Sequence, residues 1–228
     1  MARGLFPLTM AVVAALGASL AAQTPRPPSP AGSSATHVGG KFVDVELREA
    51  AKQFTDPKTR ALFLTRGPLY QGGKWIEITY SRPLKRGRDL WGSGANYGQQ
   101  LNAGAPVWRA GANVSTRLKS EMQLVINNKT VPAGEYSLFI ELKPNNWTLI
   151  VSRWAAQTEF DPNNKTALWG AYEYTPDKDV VRASMKLETL PRSLDQLAWA
   201  FADMTDTGGT LAIMWDTVMA SVPFRIGK

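Results

Sequence analysis

Apolar and polar residues alternate one for one over residues 75–80, Trp-Ile-Glu-Ile-Thr-Tyr, which sets Ile76, Ile78 and Tyr80 on one side of a strand. The same period, or a short apolar run bounded by turn residues, recurs at 121–126, 135–142, 147–152, 179–188, 197–201, 211–215 and 218–226. Residues 127–134 and 143–146 carry the Asn, Pro and Gly of tight turns, so the first three of these runs read as a meander. Residues 205–209 read as a hairpin turn, and Pro223 suggests an edge position for the last strand. Only residues 45–54 keep a helical period, with Val45, Leu47, Ala50, Ala51 and Phe54 near one face and Asp56-Pro57 as a stop. This pattern predicts a mainly β fold. It is an antiparallel β-sandwich or jelly-roll-like single domain of nine or ten short strands with one short N-terminal helix.

The two ends of the chain differ in character. Arg3, the apolar run over residues 5–16 and the small residues Ser19-Leu20-Ala21 read as a signal peptide over 1–21, cleaved near Ala21. Residues 22–39, rich in Pro, Ser and Gly, read as a flexible tether, which leaves 40–228 as the sandwich domain. The expected location is periplasmic or secreted, with no stable transmembrane segment after cleavage. The whole chain has 26 basic and 19 acidic residues, +7, and losing Arg3 with the leader leaves +6. That balance favours an anionic partner or a solubilising surface. Nucleic acid is not expected, since the chain is read as exported and shows no recognition helix or ribonucleoprotein motif.

Several chemistries drop out. There is no cysteine, which removes disulfides, thiolates and a lipid-modified cysteine at the mature N-terminus. The single histidine, His37, falls in the expected tether, where it cannot anchor a triad or a zinc site. No phosphate-binding loop, dinucleotide glycine motif or nucleophile elbow occurs, and no cofactor is expected. Asp161-Pro162-Asn163-Asn164 and Asp177-Lys178-Asp179 lack calcium-loop spacing and read as turns, so no metal is assigned. Glu173 and Asp179 would serve glycoside hydrolysis only if folding set them about 5–10 Å apart.

The most informative residues are arginines that end apolar runs. Arg82 follows Ile76, Ile78 and Tyr80 at period two, Arg88 lies just beyond, and Arg109 follows Val107-Trp108. The loop between them, residues 83–105, is long and glycine-rich, and such segments are usually functional or disordered. Two guanidiniums can clamp a carboxylate, sulfate or phosphate in a way lysine cannot. The expected site is therefore one cleft built by Arg82, Arg88 and Arg109, with Asn113 orienting the ligand and Trp91 covering it. Of the eight tryptophans, Trp91 is expected to be the exposed one, and Trp75, Trp108, Trp147, Trp169, Trp199 and Trp215 to fill the core.

Several short segments occur together in order: Tyr80-Ser81-Arg82-Pro83, Arg86-Gly87-Arg88, Trp108-Arg109-x-Gly111-Ala112-Asn113, Pro132-Ala133-Gly134-x-Tyr136-Ser137-Leu138-Phe139, Trp169-Gly170-Ala171-Tyr172 and Asp179-Val180-Val181-Arg182. On these the chain resembles domain-of-unknown-function family 2911, a set of exported bacterial proteins. The resemblance implies fold and compartment and assigns no reaction. It also implies a glutamate directly after Gly111-Ala112-Asn113, where this chain has Val114, and a shorter segment than 92–106. Three readings remain. The first is an envelope module that binds an anionic or carbohydrate ligand, small molecule or polymer, through the arginine-lined cleft. The second is a structural envelope protein whose arginines pair internally with Asp89, Glu173 or Asp179. The third is a hydrolase of a glycan or envelope polymer.

Overall fold

The computed structural model describes residues 28–45, 53–62 and 67–227. The expected signal peptide and most of the expected helix, residues 46–52, lie outside these. The described chain is mainly β and largely antiparallel. One sheet has six strands in the order β1 (Ala31–Val45), β2 (Gly67–Ser81), β3 (Thr116–Ser120), β6 (Gly134–Glu141), β7 (Thr148–Ser152) and β10 (Asp179–Ser184). A second sheet has four, in the order β11 (Lys186–Thr205), β12 (Gly208–Ile226), β4 (Leu124–Ile126) and β5 (Lys129–Val131). A small parallel pair, β8 (Ala155–Ala156) and β9 (Ala167–Leu168), ties down the segment between β7 and β10.

The alternation at 75–80 sets the layers. Ile76, Ile78 and Tyr80 point inward with Leu118, Leu138, Ile140, Leu149 and Val151, and meet Leu124, Ile126, Trp199, Leu211, Ile213 and Trp215 of the second sheet in one core. Trp199 sits at the centre of this contact. Its backbone N–H donates to the Tyr80 hydroxyl at 3.0 Å, and its indole N–H to the Ala110 carbonyl at 3.0 Å. Phe201 is only half-buried at the rim, edge-on to Phe224. The other parity gives the outer face of the six-stranded sheet. The segment 153–175 covers half of that face, over Phe139 and Ile150 with Leu168, Ala171 and Tyr174.

Four expectations change here. Residues 31–39 do not form a tether: they are strand β1, paired residue by residue from Ala31↔Ser81 to His37↔Trp75 and beyond. Its small polar residues fit an edge strand whose order comes from the ladder, not from its own apolar content. Val45, expected to begin a helix, ends that strand. Asp56-Pro57 opens a helix, Pro57–Leu62, where Asp56 accepts the Thr59 N–H at 2.7 Å and Pro57 takes the first turn. That Thr59 hydrogen bonding holds the Asp56 carboxyl below its usual range. In place of a three-strand meander, β4 leaves for the second sheet and closes on β5 through Asn127 and Asn128, both at positive φ (48° and 58°) as a primed hairpin turn requires. Finally, Pro223 lies in an interior strand. It falls between the last residue of β12 paired to β11, Ser221, and the first paired to β4, Phe224, where no ladder position needs its missing N–H.

Candidate functional site

The arginines do not form one cleft. Arg82 turns toward the second sheet. Its side chain lies against Gly32, its Nε donates to the Leu197 carbonyl at 3.4 Å, and its own carbonyl accepts from Gln196. Arg88, on the surface, clasps the turn it follows through the Lys85 carbonyl at 3.1 Å and the Leu84 carbonyl, 6.0 Å from the Trp215 ring. Arg109 follows Trp108, whose ring is in the inter-sheet core, so its own side chain leaves by the opposite, outer side. There it is buried, donates to the Asn113 carbonyl at 2.8 Å and lies 5.0 Å from the Tyr172 ring centroid. Asn113 is exposed at φ 59° and contributes that carbonyl, not its amide, to Arg109. The parity of the two strands sends Arg82 and Arg109 to different layers, which is why the expected convergence does not occur.

Trp91 is not a cover. It is half-buried against Trp147 (4.7 Å between centroids), Trp215 (6.2 Å) and Trp108 (6.3 Å), and its indole N–H is sealed without a partner among the described residues. Four indoles thus plug one end of the core, with Trp147 donating to Tyr97 at 2.8 Å. Asp89 accepts the N–H groups of Trp91 and Gly92. Asp195 accepts the Arg86 N–H at 2.7 Å, and Lys85 pairs with Asp216 at 2.6 Å, so the 83–105 loop is nailed to the body. Burial works against the Asp216 charge, but Lys85 and Ser193 outweigh it and hold the carboxyl below its usual range. Trp75, by contrast, is exposed: it precedes Ile76 and so faces outward.

The structure does bring together two of the quoted segments. Arg109, from Trp108-Arg109-x-Gly111-Ala112-Asn113, lies directly under Gly170 and Tyr172 of Trp169-Gly170-Ala171-Tyr172. Gly170 is at φ 64°, and a Cβ there would run into the guanidinium. Tyr172 also lines a cleft of about 530 Å³ formed with other residues of 157–173. Its aromatic wall is Phe160, 64% exposed and 5.8 Å from Trp169, with Tyr172, 41% exposed, beside them. Lys165 and Glu173, paired at 3.0 Å, stand at its polar side. No periodicity in the sequence marks this stretch; the Trp169–Tyr172 segment was the one available signal.

The cleft is shaped by a buried amide. Gln157 donates through Nε2 to the carbonyls of Asp161, Asn164 and Ala167 (3.2, 3.3 and 2.9 Å) and accepts the Asp161 N–H at 2.9 Å. The Asn164 side chain accepts the N–H groups of Thr166 and Ala167. Asp161 accepts the Asn163 N–H at 2.9 Å, which is turn chemistry. Among the described residues, no group of three or more His, Cys, Asp or Glu is placed to hold a metal ion.

Glu173 and Asp179 serve different partners. Glu173 meets Lys165, whereas Asp179 accepts from the Tyr174 hydroxyl at 2.7 Å and from Arg182 at 3.0 Å, and Arg182 reaches on to Glu141 at 2.5 Å. Burial and then the Asp179 carboxylate push the Tyr174 hydroxyl well above its usual range. Lys143 first, then Arg182, holds Glu141 below its own. None of Arg82, Arg88 and Arg109 pairs with a carboxylate among the described residues; their partners are backbone carbonyls and aromatic rings. Val114, in the place where the resemblance implies glutamate, lines a groove on the outer face with Ser81 and Arg117. No described helix is long and apolar enough to cross a membrane.

No curated protein and no solved structure matches the chain. The family model described as "Protein of unknown function (DUF2911)" matches residues 68–224, more than half of the chain and the span that holds the short segments from Tyr80-Ser81-Arg82-Pro83 to Asp179-Val180-Val181-Arg182. The chain belongs to the DUF2911 family.

Proposed function

We propose that this is an exported envelope protein, a jelly-roll-like sandwich, that binds a carbohydrate ligand in the 157–173 cleft. The observation that carries this reading is the exposure of Phe160 (64%) and Tyr172 (41%), beside Trp169, on a loop otherwise held rigid by Gln157. A loop tip that leaves large rings in water while fixing its backbone so thoroughly is preorganised to stack a ring-bearing ligand. Asn164, Lys165 and Glu173 supply donors and acceptors for hydroxyls around it. Two facing antiparallel sheets with the cleft on an inserted segment support the jelly-roll-like assignment. The charged start and apolar run of residues 1–21 support export.

The test is titration of short oligosaccharides against intrinsic tryptophan fluorescence. Binding should be present in the native protein and lost in Tyr172→Ala and Trp169→Ala, both of which should remain folded. Failure of every oligosaccharide to bind, or retention of binding in both variants, refutes the cleft. A structural role has one observation in its favour: Arg82, Arg88 and Arg109 all donate to the protein's own carbonyls. On that reading they pin loops, and their loss lowers melting temperature without affecting any ligand.

A further inference from the structure

The uncovered half of the outer face has a character of its own. The 153–175 segment stops at Trp154, and among the described residues nothing crosses the outward side chains of β1, β2, β3 and the start of β6. Depressions of about 370 and 450 Å³ meet there at Glu77, and the surface continues past Arg117 and Glu135 to Arg153 and Trp154. Trp75 stands at its other end, 46% exposed, its ring tilted against that of His37 directly across the β1–β2 pair. From β1 to β6 is three interstrand spacings, about 14 Å.

The charges on this face alternate by register. Glu77 lies opposite Lys119, and Lys119 opposite Glu135 on the next strand. Arg117 adds one positive charge beside them and Glu121 one negative, beside Trp75. Arg117 makes a long contact to Glu135 at 3.5 Å. Glu77 and Lys119 make no ion pair with any described residue although they face each other. Counting Arg153, the face holds three acids and three bases, while the whole chain is +7. A polyanion laid across it would meet Glu77, Glu121 and Glu135, and a polycation would meet the bases. A neutral polyol gains from both, because hydroxyls donate to carboxylates and accept from ammonium and guanidinium groups.

We infer that this groove binds a neutral polysaccharide chain, with Trp75 stacking on one sugar ring and Glu77, Lys119 and Arg117 bonding to hydroxyls of the following ones. The depressions share lining residues from Trp75 to Arg153 across three strands and so fit an interior stretch of polymer, unlike the 157–173 cleft, and the inference does not rest on that cleft. The protein is incubated in about 150 mM salt, where non-specific attraction is screened, with insoluble neutral glycans (cellulose, curdlan, mannan). The amount left in solution is measured, with alginate-coated beads as the polyanion control. At least one neutral glycan should deplete the native protein. Trp75→Ala should weaken that binding about tenfold, as truncating an aromatic anchor does. Glu77→Gln and Lys119→Ala should weaken it less. All three groove positions are at least partly exposed, so melting temperatures should stay at the native value. Depletion by none of the neutral glycans overturns the inference. So does depletion only by alginate, or binding that survives both Trp75→Ala and Glu77→Gln. Loss in Tyr172→Ala with retention in Trp75→Ala moves the polymer to the cleft and also overturns it.

Discussion

Gly170→Ala probes whether Arg109, Gly170 and Tyr172 form one confined unit. Gly170 has φ 64°, a left-handed conformation that costs an alanine about 1–2 kcal/mol. The new Cβ would also come 2.6 Å from Cζ and 2.9 Å from Nε of Arg109. An arginine tip on the surface would swing aside at little cost. This one is 8% exposed, holds the Asn113 carbonyl and is stacked on Tyr172, so moving it breaks a charge-assisted hydrogen bond and a cation–π contact together. Overpacking of this kind adds about 1–3 kcal/mol, for a total loss of about 2–5 kcal/mol.

The control is the same substitution made in an Arg109→Ala background. The overlap is gone there and only the backbone cost remains, about 1–2 kcal/mol. The difference between the two losses is the coupling, of order 1–3 kcal/mol. Urea unfolding followed by tryptophan fluorescence measures all four proteins, with equal m values as the check on two-state behaviour. Equal cost of Gly170→Ala in both backgrounds would show that the guanidinium is not trapped beneath it, and the account of how the two segments join would be wrong.

Three further outcomes follow from particular contacts. Tyr80→Phe leaves the buried Trp199 N–H without its acceptor and should cost about 1–3 kcal/mol in the same urea assay; a neutral effect would place water at that amide. Gln157→Leu should cost about 2 kcal/mol and open residues 158–167 to limited proteolysis, since four hydrogen bonds to that loop disappear; an unchanged cleavage pattern would contradict its role as the hub. Asp216→Asn, at a residue only 16% exposed, should cost about 1 kcal/mol at pH 7. Because the Asp216 carboxyl is held below its ordinary range when folded, its contribution is present above about pH 4 and vanishes as pH falls through the lowered value. Native and variant stabilities should therefore converge as the pH falls below about 4, and a gap of constant size throughout that fall would mean that the charge is not its source.

Much of the layering was readable because it rests on period two. Ile76, Ile78 and Tyr80 are where alternation puts them, and the same rule places Trp75 on the outer face. Size alone assigns Trp75 to the core, but its parity sets it outside. Trp91 misleads for the opposite reason. Its glycine neighbours suggest exposure, but the ring closes the end of the core through contacts with Trp108, Trp147 and Trp215, residues from 17 to 124 positions away. Strand β1 was hidden because an edge strand of Ser, Ala and Gly draws its order from fourteen paired positions on β2 and not from its own composition. The cleft was hidden because hydrogen bonding organises it. A glutamine that gathers three carbonyls leaves no periodic trace, and nothing about Gln157 in the sequence separates it from a surface residue.

If the cleft binds a sugar as proposed, Arg109 also bears on which sugar it prefers. A cation this buried loses hydration, and without a carboxylate partner it recovers only part of that loss from the Asn113 carbonyl and the Tyr172 ring. Lys165 and Glu173 cancel one another at the cleft's polar side. The positive field of Arg109 therefore extends through Tyr172 toward a ligand in the cleft, and among the other charged residues lining that cleft it is opposed by the exposed Asp161 carboxylate. A sugar carrying a carboxylate should bind there more tightly than its neutral counterpart, by about 0.5–1 kcal/mol, the scale of a solvent-screened charge pair. Calorimetric titration of a uronic-acid oligosaccharide and its neutral analogue measures the gap. It should shrink as salt is raised from about 50 to 500 mM, and it should be lost in Arg109→Met. Arg109→Lys should keep part of the gap while weakening both ligands, because it retains the charge and loses the planar stack that orients Tyr172. Equal affinity for the two sugars at low salt would mean that the field is already neutralised inside the protein, leaving Arg109 a purely structural support beneath Tyr172.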